Sequence, residues 1–94
     1  MKVRVKYSTP QMSVDEVFSG PTADAIVSAM QKAVAARLNF LMKPLVLNMG
    51  TTQFAQEVVN RYNQSAGKSV PRPNSAQEFL SLGETEGIVT VLEP

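Results

Sequence analysis

The chain has 94 residues, 44% of them hydrophobic, and a formal net charge of +1. That length suits one domain with a modest core of its own, and the composition is that of a globular protein rather than a disordered one. It contains no histidine and no cysteine. The usual general base near neutral pH, the commonest metal ligand, thiolate chemistry and a disulfide framework are therefore missing. Near-zero net charge argues against a dedicated electrostatic nucleic-acid binder. No apolar run approaches the length that spans a bilayer, and the first six residues do not resemble a signal peptide. A cytoplasmic address is the expectation that follows.

Residues 2–8 alternate. Lys2, Arg4 and Lys6 fall on one face and Val3, Val5 and Tyr7 on the other, which predicts a half-buried strand with a basic outer face, ended by Ser8, Thr9 and Pro10. Ser13 stands three residues before Glu16, a capping-box spacing, with Val14, Val17 and Phe18 as apolar contacts. This predicts a short helix over 14–19, closed by Gly20 and Pro21.

The organising element is the stretch from Pro21 to about Lys43, which predicts the longest helix. Ala23, Ile26, Val27, Met30, Val34, Leu38 and Leu41 gather on one face. Asp24, Ser28, Gln31, Lys32, Asn39 and Lys43 lie opposite. Ala25, Ala29, Ala33, Ala36 and Phe40 form a third strip, where a neighbouring backbone can come close. The helix thus reads as covered on two sides. Pro21 suits its first turn, and Thr22 is the competing N-cap. Arg37 interrupts the pattern between the two apolar strips. It is expected to reach outward or to pair with Glu57 or Glu78, and it is a candidate anchor for an acidic group on a partner.

Pro44 predicts a kink or a stop. Leu45 to Met49 then reads either as a restarted helix, because Leu45 and Met49 extend the three-and-four spacing, or as a short buried strand. Gly50, Thr51 and Thr52 open the next helix, with Phe54, Ala55, Val58, Val59 and Tyr62 on its inner stripe and Gly67 in the left-handed position at its end. Lys68 to Asn74 is a loop stiffened by Pro71 and Pro73. Ser75 and Glu78 form a second capping box, opening a helix with Phe79, Leu80 and Leu82 inside and Gly83 at its end. Ile88 to Leu92 is the second clear strand.

The two clear strands lie at opposite ends of the chain, and pairing them satisfies their backbone groups. Lys2, Arg4 and Lys6 would then face Glu86 and Glu93. Two strands make a marginal sheet, so a third is expected from residues 45–49 or from a second copy of the chain. The predicted fold class is α+β: a small sheet of the N- and C-terminal strands packed on three to four helices around the long one.

The short motifs are weak. Gly67-Lys68-Ser69 resembles the tail of a phosphate loop, but Tyr62 stands where the first glycine belongs and the segment follows a helix. Free amides at Gly50-Thr51-Thr52 are what any helix start offers. Asn63-Gln64-Ser65 is a chance glycosylation sequon on a helix. Asp15 and Glu16 are adjacent and cannot converge as an acid/base pair on a helix. Val70-Pro71-Arg72-Pro73 reads as a rigid connector rather than a recognition segment.

The expectation is a non-catalytic interaction or oligomerisation module, not an enzyme, with no cofactor, no metal and no membrane, and with a protein partner or a second copy as its ligand. Interaction candidates are Arg37, Lys2, Arg4, Lys6 and Arg72. A weak nucleic-acid binder using the basic strand face is the alternative, with Arg61 and Lys68 beside Arg72. A small-molecule or catalytic site built without histidine or cysteine is the third reading.

Overall fold

The structure is a computed structural model. It describes residues 1–9, 12–37 and 43–94. In chain order it contains β1 (Lys2–Thr9), β2 (Met12–Ser19), α1 (Ala23–Ala36), α2 (Lys43–Leu47), α3 (Thr51–Ala66), α4 (Ala76–Thr85) and β3 (Val89–Glu93). The fold is α+β, as the two-period and three-and-four-period stretches require. The expected end of β1 at Pro10, and the expected faces of Leu38, Asn39, Phe40 and Leu41, lie outside the described residues.

The three strands form an antiparallel sheet in the order β2-β1-β3. The termini do pair: Val3 faces Val91 and Val5 faces Val89, while Lys2 stands opposite Glu93 across an irregular register. The third strand is β2, not residues 45–49 and not a predicted helix at 14–19. Met12–Ser19 satisfies period two as well as the helical spacing, with Val14, Glu16 and Phe18 turned inward and Ser13, Asp15, Val17 and Ser19 outward. A six-residue helix would close few hydrogen bonds for its nucleation cost. Pairing with β1 instead satisfies the backbone groups of Val14, Glu16 and Phe18 and half-buries Phe18 beside Val3.

Residues 43–47 are helical because Pro44 sits in the first turn of α2, where no amide donor is required. The Asn48 amide donates to the Pro44 carbonyl at 3.0 Å, so the proline restarts a helix instead of yielding a strand. Leu45 and Leu47 stay exposed.

Thr22 caps α1, its hydroxyl accepting from the Ala25 amide at 3.2 Å. α1 buries Ile26, Val27, Gln31 and Ala35 against the sheet, α3 and α4. Its alanine strip is not the second covered wall that the spacing predicted: Ala25, Ala29 and Ala33 are half-buried and Ala36 is exposed. Gln31, placed by its spacing on the polar face, is buried instead. Its amide donates to the Val46 carbonyl at 2.6 Å and to the Met49 carbonyl at 2.9 Å, so it holds the short α2 against α1.

The α3 stripe is as predicted, with Phe54, Ala55 and Val59 buried and Gly67 at φ 65° closing the helix. The loop that follows is pinned. Asn63 donates to the Val70 carbonyl and accepts from its amide, both at 2.9 Å, and Pro73 is fully buried. Ser75 caps α4 through the Glu78 amide at 3.1 Å. α4 does not stop at Gly83. It runs one turn further, to a Schellman ending in which Ile88 donates to the Gly83 carbonyl and Gly87 to the Glu84 carbonyl. The left-handed residue there is Gly87, at φ 77°.

Candidate interaction surface

Helices cover one face of the sheet and leave the other open, so the polar side of each strand meets solvent. Lys2, Arg4 and Lys6 share that open face, as their alternation predicted. They are not a free basic stripe. Arg4 forms a two-pronged pair with Asp15, at 2.9 Å from Nε and 2.7 Å from Nη2. The hydrogen bond from Arg4 holds the Asp15 carboxyl below its ordinary range, with the nearby positive charges of Arg4 and Lys6 acting in the same direction. Arg4 therefore meets Asp15 rather than Glu86 or Glu93. The reason is the unexpected β2, which places Asp15 next to Lys6 and diagonal to Arg4.

Arg37 ends α1 and pairs with Glu16, not with Glu57 or Glu78. Glu16 lies on the inner side of β2, beneath the end of α1, and this placement exists only because residues 12–19 are a strand. Glu57 pairs instead with Arg61 one helical turn later, at 3.2 Å. Arg72 lies apart from these groups. It donates to Gln56 at 3.2 Å, and Gln56 donates to the Pro73 carbonyl at 3.0 Å, so Arg72 braces the connector. The structure thus gathers Lys2, Arg4 and Lys6, and separates them from Arg37 and Arg72.

A polar cluster ties the sheet to α3 and α4. Tyr7 and Tyr62 meet edge to face with ring centres 5.8 Å apart. The Tyr62 hydroxyl donates to Glu86 at 2.9 Å, and Lys68 approaches the same oxygen at 3.5 Å. The bond to Glu86, then desolvation and the Glu86 charge, push the Tyr62 phenol above its ordinary range. These groups satisfy one another within the chain. A groove of about 310 Å³ lies between α1, α2 and α3, walled by Val34, Leu45, Val46, Met49, Phe54 and Val58 with the Glu57–Arg61 pair at its rim. Among the described residues its wall is almost wholly apolar, without the convergent polar groups that orient a small ligand.

The feature the strand alternation did not reveal is the edge of β2. Among the described residues β2 pairs with β1 alone. Met1 and Gly20 exchange both backbone hydrogen bonds, at 2.9 and 3.0 Å. Alternation from that pair directs the amides and carbonyls of Val14, Glu16 and Phe18 toward β1, and those of Ser13, Asp15, Val17 and Ser19 toward the open edge. No proline or lysine lies within Met12–Ser19 to blunt this edge. Val17, at its middle, is 51% exposed. The opposite edge is less available: β3 is five residues long, its register with β1 is irregular, and Pro94 follows it. Period-two alternation over 12–19 was the available signal for β2. It was masked by the capping-box spacing.

The chain matches no protein-family model, and no curated protein or solved structure is significantly similar to it. No helix among the described residues is long and apolar enough to cross a membrane.

Proposed function

We propose that this chain is a non-catalytic interaction module that takes an extended polypeptide segment onto the open edge of β2. The observation that carries the reading is an eight-residue edge strand whose outward amides and carbonyls have no partner among the described residues. Strand addition uses such an edge: backbone hydrogen bonds supply the affinity and alternate side chains the selectivity. The lack of histidine and cysteine supports a binding role over catalysis. The ion pairs of Arg4 with Asp15, Arg61 with Glu57 and Lys68 with Glu86 support a polypeptide ligand over a nucleic-acid backbone, because they neutralise three of the cations that a phosphate-binding face would use.

Amide hydrogen exchange tests this residue by residue. In the isolated chain the Val14, Glu16 and Phe18 amides are slow, and the Ser13, Asp15, Val17 and Ser19 amides are fast. At high protein concentration, or with an excess of a peptide carrying residues 12–20, the Asp15, Val17 and Ser19 amides of the second set slow by on the order of tenfold or more. If those three amides stay fast under both conditions, the edge is not a binding edge. Salt-sensitive retention on immobilised nucleic acid, with the three amides still fast, would favour the basic face instead.

A further inference from the structure

We infer that the segment seated on β2 is β2 of a second copy, antiparallel and centred on Val17, so that two sheets become one of six strands. This rests on the reading of β2 as an open edge and adds the partner and its register. A two-fold axis normal to the sheet keeps outer side chains opposite outer ones and inner opposite inner. Only a few registers then align outward-facing backbone groups of Ser13, Asp15, Val17 and Ser19 with each other.

Charge selects among them. Centring the pair on Asp15 sets two carboxylates directly opposite on the outer face. Centring it on Glu16 does the same on the inner face, where strand neighbours in non-hydrogen-bonded pairs come closest. Centring it on Val17 sets Val17 against Val17, Asp15 against Ser19 and Glu16 against Phe18, with overlap over residues 15–19. Centring it on Val14 gives an overlap of equal length without like charges, over residues 12–16, but leaves Val17 outside it, so the Val17 register is selected. It also covers the one large apolar side chain that β2 leaves exposed on its outer face.

The helical layer fits the same axis. Ala25 packs beside Gly20, at 3.0 Å from a Cβ built there, and Arg37 reaches Glu16. The row Ala25, Ala29, Ala33, Arg37 therefore runs over β2, its alanines only half-buried. In the paired sheet the two copies of α1 lie side by side on one face. Small side chains along that row let helices approach to about 8–10 Å.

The chain has no cysteine, so single substitutions report the register directly. Under mild oxidation V17C is expected to form a disulfide-linked dimer at least tenfold faster than D15C, whose two copies would lie about 14 Å apart along the strands. An equimolar mixture of D15C and S19C is expected to cross-link with each other in preference to themselves. D15C linking to itself faster than V17C would overturn the Val17 register and leave the strand-edge reading intact. Wild-type protein that sediments as a monomer at millimolar concentration would overturn the second copy as partner. The edge reading would then be judged by amide exchange with the added peptide alone.

Discussion

A Cβ placed on Gly83 would lie 2.5 Å from Cγ2 of Val89. α4 and β3 pack so closely there that the helix has no room for a side chain, although Gly83 sits inside α4 where alanine is otherwise the better helix former. The contact fixes the return of the chain from the last helix into the last strand, and so the position of Val89 against Val5 in the sheet.

Gly83→Ala is therefore expected to destabilise the protein. Overpacking costs about 1–3 kcal/mol, against a gain of up to about 1 kcal/mol from helix propensity. A lowered urea midpoint with an unchanged slope checks this. The double variant with Val89→Ala should lose less stability than the two single losses added together, because the smaller residue vacates the space.

Gln31→Leu keeps most of the side-chain volume and removes the amide that serves the Val46 and Met49 carbonyls. The Val46 carbonyl keeps the Met49 amide at 3.2 Å, so the Met49 carbonyl is the acceptor that loses its donor, at a cost of about 1–3 kcal/mol in partly buried surroundings. The loss should be local first. The Asn48 amide, which closes α2 onto Pro44, is expected to exchange faster in the variant before global unfolding contributes.

The elements that were legible in the residues are those where local and long-range demands agree. Residues 2–8 alternate cleanly and pair with the C-terminal strand. Phe54 to Tyr62 makes one unbroken stripe, and Ser75 caps its helix through the Glu78 amide. The misreadings arise where one local pattern serves two structures. Val14, Val17 and Phe18 fit a helix turn, while Val14, Glu16 and Phe18 fit a strand, and only the presence of β1 decides between them. Arg37 and Arg4 then acquire partners, Glu16 and Asp15, that no spacing rule on a single element can supply. Gln31 is polar by type and buried by position, because the carbonyls it serves come from a helix restarted at Pro44. Gly83 reads as a helix stop, and the reason for its small size is a valine on another element.

Asp15 gives the fold an acid dependence whose sign follows from its Arg4 bond. Its carboxyl is held below the ordinary range in the folded chain, so the unfolded chain binds the proton first. The pair's contribution is present above the ordinary carboxylate value and is lost as pH falls through the folded one. Both side chains are close to half exposed, so the effect is modest. Asp15→Asn should unfold at lower urea than wild type at neutral pH. The difference between the two should shrink steadily as pH falls below the ordinary carboxylate range, and a difference independent of pH would mean that the substitution acts through something other than this charge.

Tyr62 produces the opposite dependence at high pH. Its phenol is pushed above the ordinary value by the hydrogen bond to Glu86, and by desolvation and the Glu86 charge, so folding favours the protonated form. That contribution is fully present below the ordinary phenol value and is lost as pH rises through the folded one. Tyr62→Phe keeps the ring against Tyr7 and leaves Lys68 beside Glu86, removing the hydroxyl alone. Absorbance titration of the folded protein should lose its late-titrating phenol in this variant. The urea midpoints of wild type and Tyr62→Phe should differ at neutral pH and converge in strong base, where ionised Tyr62 would repel Glu86. Convergence is the outcome that ties the stabilisation to the Tyr62–Glu86 bond rather than to packing of the ring, because the ring contact with Tyr7 is common to both proteins at every pH.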